Sequence, residues 1–362
     1  MGATQDASPK LLQCSSPSRF QVSAGSLATI SATGTANGVA MFTVDSGGTL
    51  ADWAYTLDPS GQLSPSVANN ALDTNANGVL GVASTGSTVL VASLYGRPTA
   101  TGTAIYAFDG SLVTPAAVSR RDGQYAAPTS LAVSGDGSQI AFVSVDPSTF
   151  EATGHILDTT GNDVGSPATV IAAAAMTNYT FIAPAGSGYA ISYSSNGVSP
   201  TGTMLELLDN NLNIVAGPIE TSDGTGDAYA AQVAWAATSK VYLASWHEKT
   251  ATDDDDVWIE ILGPNLEVIV AATDIAHSAS NARVTSDGTG FWVTWMDYSV
   301  TPAVLNGAYV AADGATTARP VAGMSGTPAQ WVMIDRDGQS ILVWTATGGT
   351  GPDLSFDAEC GS

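Results

Sequence analysis

Short aliphatic runs, each closed by Ser or Thr and then a large apolar residue, recur along this chain. They read MFTV, LVASL, AFVSV, AISY, VYLASW, FWVTW and, with valine in the hydroxyl position, ILVW. The anchors are Thr43, Ser93, Ser144, Ser192, Ser245, Thr294 and Val343, so the steps are 50, 51, 48, 53, 49 and 49. A four-stranded blade takes roughly 40–50 residues, and self-similarity at that period marks a propeller. Amphipathic 3.6-residue periodicity is not found. The pattern predicts strands throughout.

Turn residues repeat in phase with these runs. LDPSG (Asp58), FDGS (Asp109), LDTTG (Asp158), LDNN (Asp209), LGPN (Gly263), ADGA (Asp313) and FDAE (Asp357) follow one another at 51, 49, 51, 54, 50 and 44 residues. Tight hairpins favour Asp, Asn, Gly and Pro because they need a positive or pre-set φ. A further set, SGDGS (134–138), AGSG (185–188), SDGTG (286–290) and DRDGQ (335–339), joins first to second strands. The expected fold is all-β: one seven-bladed β-propeller with blades near 24–70, 71–122, 123–172, 173–224, 225–275, 276–322 and 323–362. The last repeat stops after its third strand, so an N-terminal strand within 11–22, LLQC or RFQV, should complete it and close the ring.

Composition narrows the partners. Ten basic residues face 33 acidic ones, for a net charge of −23. Phosphate backbones need clustered Lys and Arg, which excludes nucleic acid, and an anionic membrane surface is disfavoured likewise. No apolar run approaches the roughly 18 residues of a spanning helix. The opening MGATQDASPK has neither a basic nor an apolar signal region, so Met1-Gly2 reads as an added start from which an export signal was removed.

The only two cysteines, Cys14 and Cys360, lie at opposite ends of the chain, which a closed propeller brings together. They are expected to form a disulfide worth up to about 5–6 kcal/mol on the chain-entropy account. Such a bond persists in an oxidising compartment, so the expected setting is periplasmic, extracellular or cell-surface. The competing reading is two unrelated buried thiols.

Longer, blade-variable loops should share one end of the propeller. They include 94–102, 145–154, 193–202 and 246–256 between second and third strands, and 115–128 and 220–231 between blades. Variable loops on a rigid scaffold are where binding residues concentrate. The densest polar group there is His247, Glu248, Lys249 and Asp253 to Asp256, followed by Asp297. Asp253, Asp254, Asp255 and Asp256 repel one another, and a hard cation such as calcium would relieve them. The alternative is a solvated acidic loop. Trp246 and Trp295 head a row that is read first as inter-blade packing and second as stacking platforms for sugar rings. The Ser/Thr anchors are read as hydroxyls that satisfy neighbouring backbone rather than as a ligand ring.

Catalytic signals are thin. Neither G-x-S-x-G, GxGxxG nor H-E-x-x-H is present, and His155, His247 and His277 are the only histidines. Glu248 with Asp297 could do glycosidic acid–base work, though no spacing argues for it. Asp73-Thr-Asn75-Ala-Asn77-Gly78 matches half of an acidic calcium loop, but position 84 is Ser where a ligating Glu would be needed, and an Asn/Asp turn explains it better.

One segment has a family resemblance. LAVSGDGSQIAFVS (131–144) resembles the WD40-like repeat of TolB-type propellers, S-P-D-G-x-x-I-A-F, with Gly135 in place of the proline. VTSDGTGFWVTW (284–295) and MIDRDGQSILVW (333–344) are looser relatives. The resemblance implies a propeller fold and an envelope setting, but not TolB's own function, whose helical domain and partner-binding tail are missing here. The expected function is a monomeric, non-enzymatic binding module for a protein or glycan. A carbohydrate-binding or glycan-hydrolysing propeller is the first alternative, and a calcium-stabilised adhesion module the second.

Overall fold

A computed structural model describes residues 19–21, 27–35, 38–45, 52–57, 63–67, 76–85, 88–97, 100–109, 117–122, 125–146, 148–172, 176–195, 201–222, 226–249, 255–318, 327–336, 339–347 and 353–358. Every regular element among them is a strand, and no helix occurs among the described residues. Among the described residues the strands form four-stranded antiparallel sheets, and in six of them consecutive strands pair as a meander. In chain order the sheets span 27–67, 76–122, 125–171, 176–220, 228–276 and 279–318. The seventh joins 327–358 to the early strand Arg19–Gln21, which pairs with Asp353–Ala358.

The periodic runs explain this order. All seven anchors fall in the second strand of a sheet, such as Ile140–Val145, Gly188–Ser195, Val241–Lys249 and Gly290–Asp297. These four named strands are buried on both faces, hence their continuous apolar reading. Outer strands differ: Ile214–Glu220 and Val268–Ala276 are largely exposed, with Val215 and Val268 open to solvent. Most turn motifs occupy hairpins as expected, for example 158–167 and 209–213. FDAE is the exception. Asp357 lies inside the strand Asp353–Ala358, because that sheet takes its fourth strand from the N-terminal side and needs no hairpin there.

First strands contact the first strands of neighbouring sheets, which makes them the inner strands. Each carries a register shift, as between Tyr229 and Gln232 and between Ser280 and Arg283. Such bulges bend and twist a strand, and Ala230 and Asn281 take positive φ within them. Apolar side chains fill the space between sheets: Val257, Ile259, Phe291 and Val293 between the fifth and sixth, and Trp292, Met296, Trp331 and Met333 between the sixth and seventh.

Gly135, where the TolB-type pattern has proline, is explained here. Its N–H donates to the Gly188 carbonyl of the next sheet at 2.8 Å, and a Cβ at this position would overlap the Gly186 carbonyl oxygen. Proline can supply neither the donor nor the space.

Candidate functional site

Strand order places the second-to-third loops and the sheet-to-sheet linkers at one end. In the fifth sheet that end carries the close of Val241–Lys249, the start of Asp255–Leu262, the close of Val268–Ala276 and the linker to Ala279. Asp256, Asp274 and His277 converge there, and one ligand-type atom from each lies within 4.8 Å of the others. His277 Nδ1 is 3.1 Å from Asp256 Oδ2 and 2.9 Å from Asp274 Oδ2. The other carboxylate oxygens are held by backbone. Ser278 N–H donates to Asp256 Oδ1 at 3.1 Å and Ala276 N–H to Asp274 Oδ1 at 3.0 Å.

Electrostatics follow from this packing. Asp256 is buried and His277 exposed. The Asp256 hydrogen bond, with the Asp274 and Asp256 charges, raises the His277 pKa. Partial burial raises that of Asp274; His277 opposes this and the nearby Asp256 charge adds to it. Two carboxylates held together need a positive charge between them. Either a protonated imidazole or a metal ion can supply it.

Of the acidic run, Asp256 takes part in this cluster. Asp255 lies on the same strand, where its charge raises the His247 pKa against the larger lowering effect of burial. Asp253 and Asp254 lie outside the described residues, as do Cys14, Cys360, Asp73 and Asn75. Asp274 and His277 escaped the sequence reading because they lie 18 and 21 residues beyond Asp256 and meet it only through strand pairing. Nothing in the local string DIAH marks a ligand pair.

The remaining candidates are dispersed. Glu248 is buried; its Oε1 accepts from Gly226 N–H at 2.8 Å and its Oε2 from Trp246 Nε1–H at 3.2 Å. Asp297 caps its own turn, accepting from the Ser299 N–H and hydroxyl on Oδ1 and from Asn306 Nδ2 on Oδ2. Partial burial works against ionisation there, but these hydrogen bonds hold its pKa below the usual carboxylate value. The two carboxylates thus serve separate local structures. Trp246 is fully buried and Trp295 nearly so, both within core clusters, so the platform reading of these rings is corrected: they pack between strands. Ser144, Ser192, Ser245 and Thr294 are likewise buried.

No protein-family model matches the chain, and no curated protein matches it. Solved structures resemble it in fold. A streptogramin B lyase structure aligns with a TM-score of 0.53 at 10% identity, over 95% of this chain and 97% of that one. The Dos1 propeller gives 0.53 at 11% identity over 94% and 93%. Uncomplexed Pyrococcus horikoshii acylaminoacyl peptidase gives 0.54 at 11% over 92% of this chain and 51% of its own. These likenesses support a propeller fold. They carry no function at such identities.

Proposed function

We propose that this chain is a closed seven-bladed propeller of the bacterial envelope or exterior that binds a protein or glycan, without catalysis, through its long-loop end. The convergence of Asp256, Asp274 and His277 at that end carries the reading. It is a preformed set of one nitrogen and two oxygen donors, partly desolvated, at the place where variable loops emerge. A divalent cation held there would tie the fifth sheet to its linker and offer open coordination positions to a ligand. The imidazole favours a zinc-class ion over calcium, which prefers oxygen ligands alone. Binding rather than glycan hydrolysis is favoured because Glu248 and Asp297 both have their oxygens occupied by neighbouring donors.

Ring closure is supported by contact between Thr327–Arg336 and Leu27–Thr35, the first strands of the last and first sheets, and by the pairing of Arg19 with Ser355. The proposed disulfide rests on the sequence alone, on the two cysteines lying at opposite ends of the chain. The TolB-like string at 131–144 supports the envelope setting.

Melting curves titrated with zinc and with calcium test the cation. Zinc should raise the melting temperature of the wild type, and Asp256→Asn and His277→Ala should each remove the rise. No zinc response, or a response indifferent to both substitutions, overturns the cation site. A glycan array read for retained protein and for released sugars tests the rest. Release of shortened sugars would overturn the binding reading.

A further inference from the structure

A second group of polar side chains lies on the other side of the sixth sheet, facing the seventh. Along Gly290–Asp297 the odd residues Phe291, Val293 and Trp295 face the fifth sheet, while Trp292 and Met296 pack with Trp331. Thr294 shares the Trp292 parity and therefore faces the seventh sheet. Its cross-strand partners are Arg283 on the inner strand and Gly307 on the outer side. Directly opposed residues of an antiparallel pair share a face, so Arg283 and Thr294 emerge together, while Gly307 adds no side chain beside them. The Arg283 Cζ lies 5.7 Å from the centroid of the Trp331 ring.

Two of the polar groups here lack partners, and the third has a single backbone acceptor. Arg283 Nη1 donates to the Ala282 carbonyl oxygen at 3.1 Å, and no carboxylate pairs with the guanidinium among the described residues. The Thr294 hydroxyl and the Trp331 indole N–H, on residues 4% and 7% exposed, have no partner. Burial alone pulls the Arg283 pKa down to about 10. At the equivalent step of the fourth sheet, the residue opposite Ser192 is the apolar Phe181; at the fifth, Gln232 opposite Ser245 accepts from Val284 N–H. Arg283 is partly buried, and withdrawing a guanidinium from water with no carboxylate beside it is costly. In a chain with ten basic residues in all, this one stands out.

We propose that Arg283, Thr294 and Trp331 form a binding pocket for a monocarboxylate. The guanidinium fork presents two parallel N–H groups to the two carboxylate oxygens, and the hydroxyl and indole N–H supply further donors. Trp292, Met296 and the Trp331 ring give the pocket apolar walls, which suit an acid with an apolar tail. The charge of −23, with Asp255, Asp256 and Asp274 on the neighbouring sheet, disfavours a multiply charged phosphate. The pocket is independent of the cation cluster and goes beyond that reading.

Melting curves at pH 7 and constant ionic strength, with sodium chloride replaced stepwise by acetate, benzoate or inorganic phosphate, test the pocket. Benzoate, and more weakly acetate, should raise the wild-type melting temperature. Arg283→Met should abolish the shift, and the near-isosteric Thr294→Val should weaken the apparent affinity about ten-fold, as expected for a lost bond to a charged group. Thr294→Val remains as the readout where Arg283→Met does not fold, as judged by circular dichroism. No response to either carboxylate overturns the pocket, as does a response that Thr294→Val leaves unchanged. Stronger binding of phosphate overturns the monocarboxylate assignment.

Discussion

The Ser192 hydroxyl donates to the backbone carbonyl oxygen of Ala231 in the next sheet, at 2.8 Å with both residues buried. Ala231 follows the positive-φ residue of its bulge, where the carbonyl is turned out of its own ladder. One sheet on, the equivalent carbonyl of Ala282 receives Arg283 instead, and the Ser245 hydroxyl is left without a partner. The recurring hydroxyl is therefore an inter-sheet clasp at one step and replaced in that role at the next.

Ser192→Ala should lower stability in urea unfolding by about 1–3 kcal/mol, the cost of a buried acceptor losing its donor. Ser245→Ala breaks no such bond and should cost less. Equal losses at the two positions would dismiss the clasp as the reason.

Stability should fall as pH rises between about 5 and 7. Glu260, 7% exposed with Oε2 unpartnered, has its pKa pushed by burial up to about 7, well above the usual carboxylate range. In this window the folded state holds a proton that the unfolded state has released, so stability drops by up to about 1.4 kcal/mol per pH unit and levels off above the folded pKa. Burial raises Glu206 in the same sense. The raised His277 also loses its contribution as pH rises through its folded pKa. Glu260→Gln should flatten the profile measured by urea unfolding from pH 5 to pH 8. An unchanged slope would mean that Glu260 is ionised in the folded protein.

Gly135→Pro removes the N–H bonded to the Gly188 carbonyl and forces ring atoms into the Gly186 carbonyl, and should cost about 2–4 kcal/mol. Gly137→Ala, where a Cβ meets nothing within 4 Å but φ is +73°, should cost only about 1 kcal/mol of backbone strain. Thermal melts of the two variants distinguish contact from strain, and similar losses would discount the contact between the third and fourth sheets.

Unreduced, unfolded protein should show no titratable thiol if Cys14 and Cys360, the two cysteines of the sequence, are bonded as proposed. Two free thiols would remove both the staple and the oxidising-compartment argument that rests on it.

Short-range chemistry was legible in the string itself. Strand burial writes aliphatic runs, hairpins write Asp, Asn and Gly, and their common period announces a repeated four-stranded unit; Thr43 through Val343 all mark second strands for this reason. The loop-rich end and its polar density around Asp256 could also be read. Which of those residues meet could not. Asp274 and His277 reach Asp256 through pairing of the third and fourth strands and the linker that follows, a relation set by register. Trp246 looks identical on paper whether it faces solvent or core, and packing against Ala228, Ala231 and Ala244 decided it. Arg283, Thr294 and Trp331 are separated by 11 and 37 residues and come together only because a bulge and a strand parity turn them toward the same side of the sixth sheet. Local sequence sets periods and turns because those depend on neighbouring residues. A site depends on faces, and faces exist only once sheets pack.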